Sequence, residues 1–152
     1  MPTIFTRRQF QLGLLAASLL PLAACAVEKH VDEPAAGNAV TLASGTFVDV
    51  DGSHGGRGTA TIYREANGAH ALRLSEFEVT PGPDLVVYLV DRADIRASAD
   101  VTGANHVALG ALKGSSGNQN YQFPANVDPA AYSSVVIWCE SFSVLFSAAT
   151  LN

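Results

Sequence analysis

From Gly45 onward, apolar positions recur at short range and are punctuated by glycine, proline and asparagine. That spacing predicts strands rather than helices. Gly45 to Val50 is the first. Thr59 to Glu65 and Ala69 to Val79 flank Asn67-Gly68, a strong hairpin signal. Within the second of these, Leu72 and Leu74 take one face while Arg73 and Ser75 take the other. Pro81-Gly82-Pro83-Asp84 is a turn in which Pro83 presets the backbone and Asp84 can bond its own backbone. Leu85 to Val90 (LVVYLV) is apolar on both faces, as a covered central strand is. Asp91 to Asn105 is polar, alanine-rich and aperiodic, a loop with room for one helical turn. His106 to Leu112 and Asn118 to Phe123 are strands around Gly114-Ser115-Ser116-Gly117. Ser134 to Glu140 (SVVIWCE) is a second fully apolar strand. Phe142 to Leu151 alternates, with Phe142, Val144, Phe146 and Ala148 on one face. About eight strands without an amphipathic helix predict an all-β domain over residues 45–152, a single antiparallel β-sandwich or partly closed barrel.

The chain ahead of these strands obeys other rules. Arg7-Arg8 precede Gly13-Leu14-Leu15-Ala16-Ala17-Ser18-Leu19-Leu20-Pro21, a basic segment and a short apolar run that read as a bacterial export signal. The run falls short of the roughly 20 residues a membrane-spanning helix needs. Thr6, the arginine pair and Phe10 resemble a twin-arginine signal, with the general secretory route as the alternative. Leu22-Ala23-Ala24-Cys25 resembles a lipobox, so residues 1–24 are expected to be removed and Cys25 to be acylated, joining the protein to membrane lipid. Ala26 lacks the aspartate that retains enteric lipoproteins at the inner membrane. The expected place is therefore the outer membrane, facing the periplasm. Residues 25–44 are aperiodic and read as the lipidated cysteine and a flexible tether. As a coil, the 17 residues from Ala26 to Leu42 would span roughly 20–25 Å, with His30 solvated.

Composition narrows the function classes. Hydrophobic residues make up 48% of the 152, which excludes wholesale disorder. Charged residues are 15% against roughly 25% in average domains. Nine basic residues face fourteen acidic ones. Removing residues 1–24 takes away Arg7 and Arg8 and deepens the negative balance. No basic cluster lies outside the N-terminus, so no nucleic-acid partner is expected.

Two cysteines exclude a four-cysteine zinc or iron–sulfur site. With Cys25 acylated, Cys139 is the one thiol left, and a lone cysteine in an oxidising compartment is either reactive or sequestered. Alternation puts Cys139 on one face with Val135 and Ile137, and Trp138 on the other with Val136. Cys139 as a packed small hydrophobe and Cys139 as a one-cysteine redox site both fit. Trp138 is core packing or a neighbour in an electron relay. Blue copper needs a second histidine and usually a methionine; the sole methionine is Met1, and no histidine comes after Cys139. His54, His70 and His106 are weak candidates to converge on Cys139 as an unusual metal site, or His54 or His106 to pair with it as a nucleophile. Asp49-x-Asp51-Gly52-Ser53 lacks the further acidic ligands of a calcium loop. No nucleophile elbow, zinc-protease or dinucleotide motif is present. No cofactor is predicted, and nothing makes an enzyme the default.

Several motifs then occur in a fixed order. Gly45-x-Phe47, His54 with Gly58, Leu72-x-Leu74-x-x-Phe77 and Gly82-Pro83-Asp84-Leu85-x-Val87-Tyr88-Leu89 come first. Leu109-Gly110-x-Leu112-Lys113-Gly114, Gly117-x-Gln119-x-Tyr121, Tyr132 and Val136-Ile137-Trp138-Cys139 with Phe142, Val144 and Phe146 come next. This resembles the DM-thirteen domain, a small all-β extracellular module, from Gly45 to Asn152. The resemblance implies electron transfer through a characteristic cysteine, which Cys139 matches, in a domain often fused to DOMON or b-type cytochrome modules. No such segment is present in this sequence, so the redox protein would act in trans. The expectation is a membrane-anchored redox accessory domain, by electron transfer or thiol chemistry at Cys139. The rival is a binding or adhesion module in which Cys139 only packs and a loop such as Asp91 to Asn105 meets the partner.

Overall fold

A computed structural model describes residues 28–152. The export signal, the lipobox and Cys25 lie outside the described residues. Nine strands form one curled sheet, a half-barrel: β1 (His30–Asp32), β2 (Val40–Val48), β3 (Gly56–Arg64), β4 (His70–Val79), β5 (Leu85–Val90), β6 (His106–Ala111), β7 (Ser116–Gln122), β8 (Ser134–Cys139) and β9 (Val144–Thr150). Their order across the sheet is β1-β7-β4-β3-β2-β9-β8-β5-β6. All pairs are antiparallel except β1 with β7. The partly closed all-β architecture is the expected one.

The β3–β4 hairpin forms where Asn67-Gly68 predicts it. Gly68 takes φ +87°, the Glu65 N–H donates to the Ala69 carbonyl, and the Asn67 side chain accepts from the Ala69 N–H at 2.9 Å. A left-handed glycine of this kind lets a three-residue loop match the twist of its strands.

Two differences from the sequence reading matter. β1 and the start of β2 lie inside the stretch read as a tether, which therefore begins to order at about residue 30. Pairing, not periodicity, recruits β1: its backbone adds to β7, and the Lys113 ammonium donates to the Glu33 carboxylate at 2.8 Å. The Asn120 N–H reaches the same carboxylate at 2.7 Å. Lys113 first, and this amide with it, hold Glu33 below the usual carboxylate range against a smaller desolvation effect.

The second difference is in β9. Phe142 lies in the β8–β9 turn, 69% exposed, and the register against β8 shifts so that Ile137 meets Ser147 while Trp138 meets Leu145. Phe146 is thus the extra residue of a bulge, which flips the facing of the residues beyond it. Phe146 faces the interior of the curl, whereas Ala148 faces the opposite side.

The apolar runs are explained by two cores. Inside the curl, Phe47, Leu72, Leu74, Phe77, Val87, Leu89, Val135, Ile137 and Phe146 pack with Cys139. Outside, Val86, Tyr88, Val90, Val136, Trp138 and Leu145 pack under Ile95 and Val101 of the Asp91–Asn105 segment. That segment holds one short helix, α1 (Ser98–Thr102). Five residues cannot sustain a helix alone. Burial of Val101 and Ile95, about 1.5–3 kcal/mol each by area, holds it down. β5 and β8 are therefore buried at every position.

Candidate functional site

Cys139 ends β8, paired with Leu85 of β5 on one side and Val144 of β9 on the other. It is 0% exposed. Its thiol donates to the Pro83 carbonyl at 3.1 Å. That carbonyl is positioned by the Pro81–Asp84 turn, where Asp84 sits in the left-handed region at φ +54°. The Asp84 carboxylate does not serve its own turn as expected. It accepts the Ser141 hydroxyl at 2.8 Å, and the Asp84 carbonyl accepts the Glu140 N–H at 3.1 Å. The turn is thereby fastened to the β8–β9 connection that follows Cys139. Gly82 packs on the Phe146 ring so closely that a Cβ there would lie 2.6 Å from two ring carbons. An open groove of about 730 Å³ is lined by Phe47, Asp49, Gly55, Arg57, Glu78 and Pro81 among others. Cys139 does not line it.

The expected alternation holds at the site. Cys139 shares the inner core with Val135 and Ile137, and Trp138, 5% exposed, shares the outer one with Val136. The histidines do not converge on the thiol. His54 meets the edge of Phe146 at 4.6 Å between ring centroids and pairs through Nδ1 with Asp51 at 3.0 Å. His70 tilts against Phe123. His106 stacks on Tyr88 at 4.7 Å with 14° between the planes. Among the described residues, no three His, Cys, Asp or Glu side chains cluster as metal ligands do. The acidic loop has a local use instead. The His54 ring first, then the Ser53 and His54 N–H groups, hold Asp51 down at about 2.

On the outer face the structure assembles a group that residue-by-residue reading missed. Tyr88, 7% exposed, lies between His106 and Trp138, with 6.3 Å and 23° separating it from the indole. Its hydroxyl donates to Glu140 Oε1 at 2.7 Å. Burial, and then the adjoining Glu140 carboxylate, push the phenol up to about 12. Two sequence signals pointed to it: a tyrosine inside an otherwise apolar strand needs a hydrogen-bond partner, and alternation along SVVIWCE places Glu140 with Trp138. The missing link is the pairing of β5 with β8, which brings the strands side by side.

Residues 46–151 match a family model described as electron transfer DM13. No curated protein and no solved structure matches the chain.

Proposed function

The chain belongs to the DM13 electron-transfer family, and from that premise we propose that it is a membrane-anchored, extracytoplasmic electron-transfer module with Cys139 as its redox group. In this reading acylated Cys25 is the anchor, the periplasmic face of the outer membrane is the location, and the redox protein, of DOMON or b-type cytochrome kind, acts in trans. The observation that carries it is the match of residues 46–151 to an electron-transfer family; Cys139 enters the reading through the sequence motif Val136-Ile137-Trp138-Cys139. Geometry favours electron exchange over thiol exchange. Thiol chemistry needs an accessible thiolate, whereas Cys139 is fully buried and donates its proton to a carbonyl. Electrons need no such contact. His30 stands only five positions after Cys25, a reach of about 17 Å at full extension, so the anchor would keep the domain close to the headgroups.

The packing reading stays in contention because the same burial is what a core cysteine shows. The test is electron exchange between the full-length protein and reduced b-type cytochrome in membrane vesicles, started by a flash-generated one-electron oxidant. The oxidant takes one electron from Cys139 as its thiol proton is lost, and the thiyl radical formed takes an electron from the haem. Under the redox reading, haem oxidation falls to background in both Cys139→Ala and Cys139→Ser, each shown folded by circular dichroism. Wild-type rates in both folded variants would leave Cys139 as packing only. Cys25→Ser should release the protein from the membrane fraction; continued attachment would refute the anchor.

A further inference from the structure

A buried thiol whose one hydrogen-bond partner is a carbonyl has no base to receive its proton. The first residue after the thiol's strand, Glu140, is a proton acceptor on the outer side, and it is hydrogen-bonded to an oxidisable ring. We propose that Tyr88 is a proton-coupled redox site, the point at which single electrons cross the domain surface, with Glu140 as its proton acceptor. This rests on the electron-transfer reading of the domain, but not on Cys139 being the redox group.

Four observations converge. The phenol–carboxylate hydrogen bond is 2.7 Å, short enough for the proton to cross without rearrangement. The Tyr88 ring is stacked between the exposed His106 and the nearly buried Trp138, so it faces an outside oxidant through one π-system and the protein interior through another. Trp138 is joined by a single peptide bond to Cys139. Glu140 is exposed and so can be recharged by water. Packing alone asks for none of these; phenylalanine would fill the same space without requiring a charged partner at the end of the neighbouring strand.

Atoms and electrons balance in the step. A strong one-electron oxidant, of the ferryl-haem or peroxyl-radical class, takes one electron from the Tyr88 ring. The phenolic O–H bond breaks as its proton passes to Glu140 Oε1, where a new O–H bond forms. The products are a neutral Tyr88 phenoxyl radical, a protonated Glu140 and an oxidant reduced by one electron. One electron from a reductant in trans, with the proton returning from Glu140, restores the start.

The test is flash photolysis of the full-length protein in detergent, with a photogenerated ruthenium(III) trisbipyridine oxidant and persulfate as terminal acceptor. Phenoxyl radical is tracked by transient absorbance and electron paramagnetic resonance. A fast phenoxyl phase is expected that slows in D₂O, disappears in Tyr88→Phe and slows about a hundredfold in Glu140→Gln, the low end of what a positioned base contributes. Persistence of the phase in Tyr88→Phe would place the radical at Tyr63, Tyr121 or Tyr132 and overturn the proposal. An unchanged rate in Glu140→Gln would overturn it too, because the proton would then be going to water. Glu140→Gln keeps shape and hydrogen-bonding capacity, so it remains informative if Tyr88→Phe is unstable. In Cys139→Ala the fast phase should persist; its loss would overturn the proposal. The lifetime of the radical in that variant bears on Cys139 separately: a longer life means Cys139 normally refills it, and an unchanged life removes Cys139 from the path while Tyr88 stands.

Discussion

Consider the full-length protein carrying Cys25→Ser, so that Cys139 is its one thiol, exposed to an aromatic disulfide reagent. A sulfur with no exposed surface reacts only while the structure around it is open. Cys139 is paired to Leu85 and Val144 on strands flanking β8, with the Pro83 carbonyl over the sulfur. Opening therefore means parting β8 from a neighbour and emptying part of the inner core. Domains of this kind are stable by about 5–15 kcal/mol in all. If opening costs even the lower figure, the open fraction is between about 10⁻³ and 10⁻⁴, at 1.4 kcal/mol per factor of ten. When reclosing outpaces reaction, the rate is the intrinsic thiol rate times that fraction. The prediction is a native-state rate at least about a thousandfold below that of the same protein in guanidinium, the intrinsic value. Release of the chromogenic thiolate measures both. A native rate within about tenfold of the denatured one would mean that opening costs under about 1.4 kcal/mol. The burial argument would then fail, and with it the preference for electron over thiol exchange.

Two further outcomes rest on named contacts. Gly82→Ala forces a methyl onto the Phe146 ring, a buried side chain already packed on His54. Overpacking of this kind costs about 1–3 kcal/mol, read as a lowered denaturation midpoint, and should raise the labelling rate of Cys139 because the turn above the sulfur must shift; an unchanged midpoint and rate would refute the contact. Asp51 has its carboxyl held at about 2 in place of 3.8, so it lends stability that is fully present above pH 3.8 and is lost as pH falls toward 2. In Asp51→Asn the acid-dependent part of unfolding across that window should flatten, as measured by circular dichroism, and an unaltered acid limb would show that the His54 contact does not matter.

How much of this was legible in the sequence depends on what carried each feature. The LVVYLV and SVVIWC strands were legible because both faces are covered, which leaves no polar alternation to confuse the reading. The facing of Cys139 and Trp138 came from period two alone. β1 was not legible: three residues, His30–Asp32, have no pattern of their own and are strand only because β7 offers an edge and Lys113 offers a charge. The misplacement of Ala148 has one cause, the bulge at Phe146, and a bulge adds a residue without changing local composition. Phe142 was drawn into the strand by its apolar character, yet the turn needs residues 140–143. Tyr88 and Glu140 are 52 positions apart. Each carried a hint, but their meeting depends on register between strands, which no single segment encodes.

That register also separates the two proposed redox roles. Cys139 and Trp138 are chain neighbours on opposite faces of β8, and Glu140 falls with Trp138 because side chains alternate. A slip of one residue along β8 would exchange the faces, turning the thiol and Ile137 outward and the Glu140 carboxylate toward the inner core, with nothing to neutralise it. An unpaired buried carboxylate costs several kcal/mol, so the fold itself resists that slip. The Phe146 bulge lies on the partner strand β9, beside the Ile137–Trp138 step. There it takes up the odd residue without moving β8, so its facing survives. The sulfur is thereby kept dry inside, and the proton-accepting carboxylate is kept wet outside, by the same strand. An electron path from the Tyr88 ring to the Cys139 sulfur would have to cross the sheet, and the Trp138–Cys139 peptide joins the indole stacked beside Tyr88 to the sulfur's own residue.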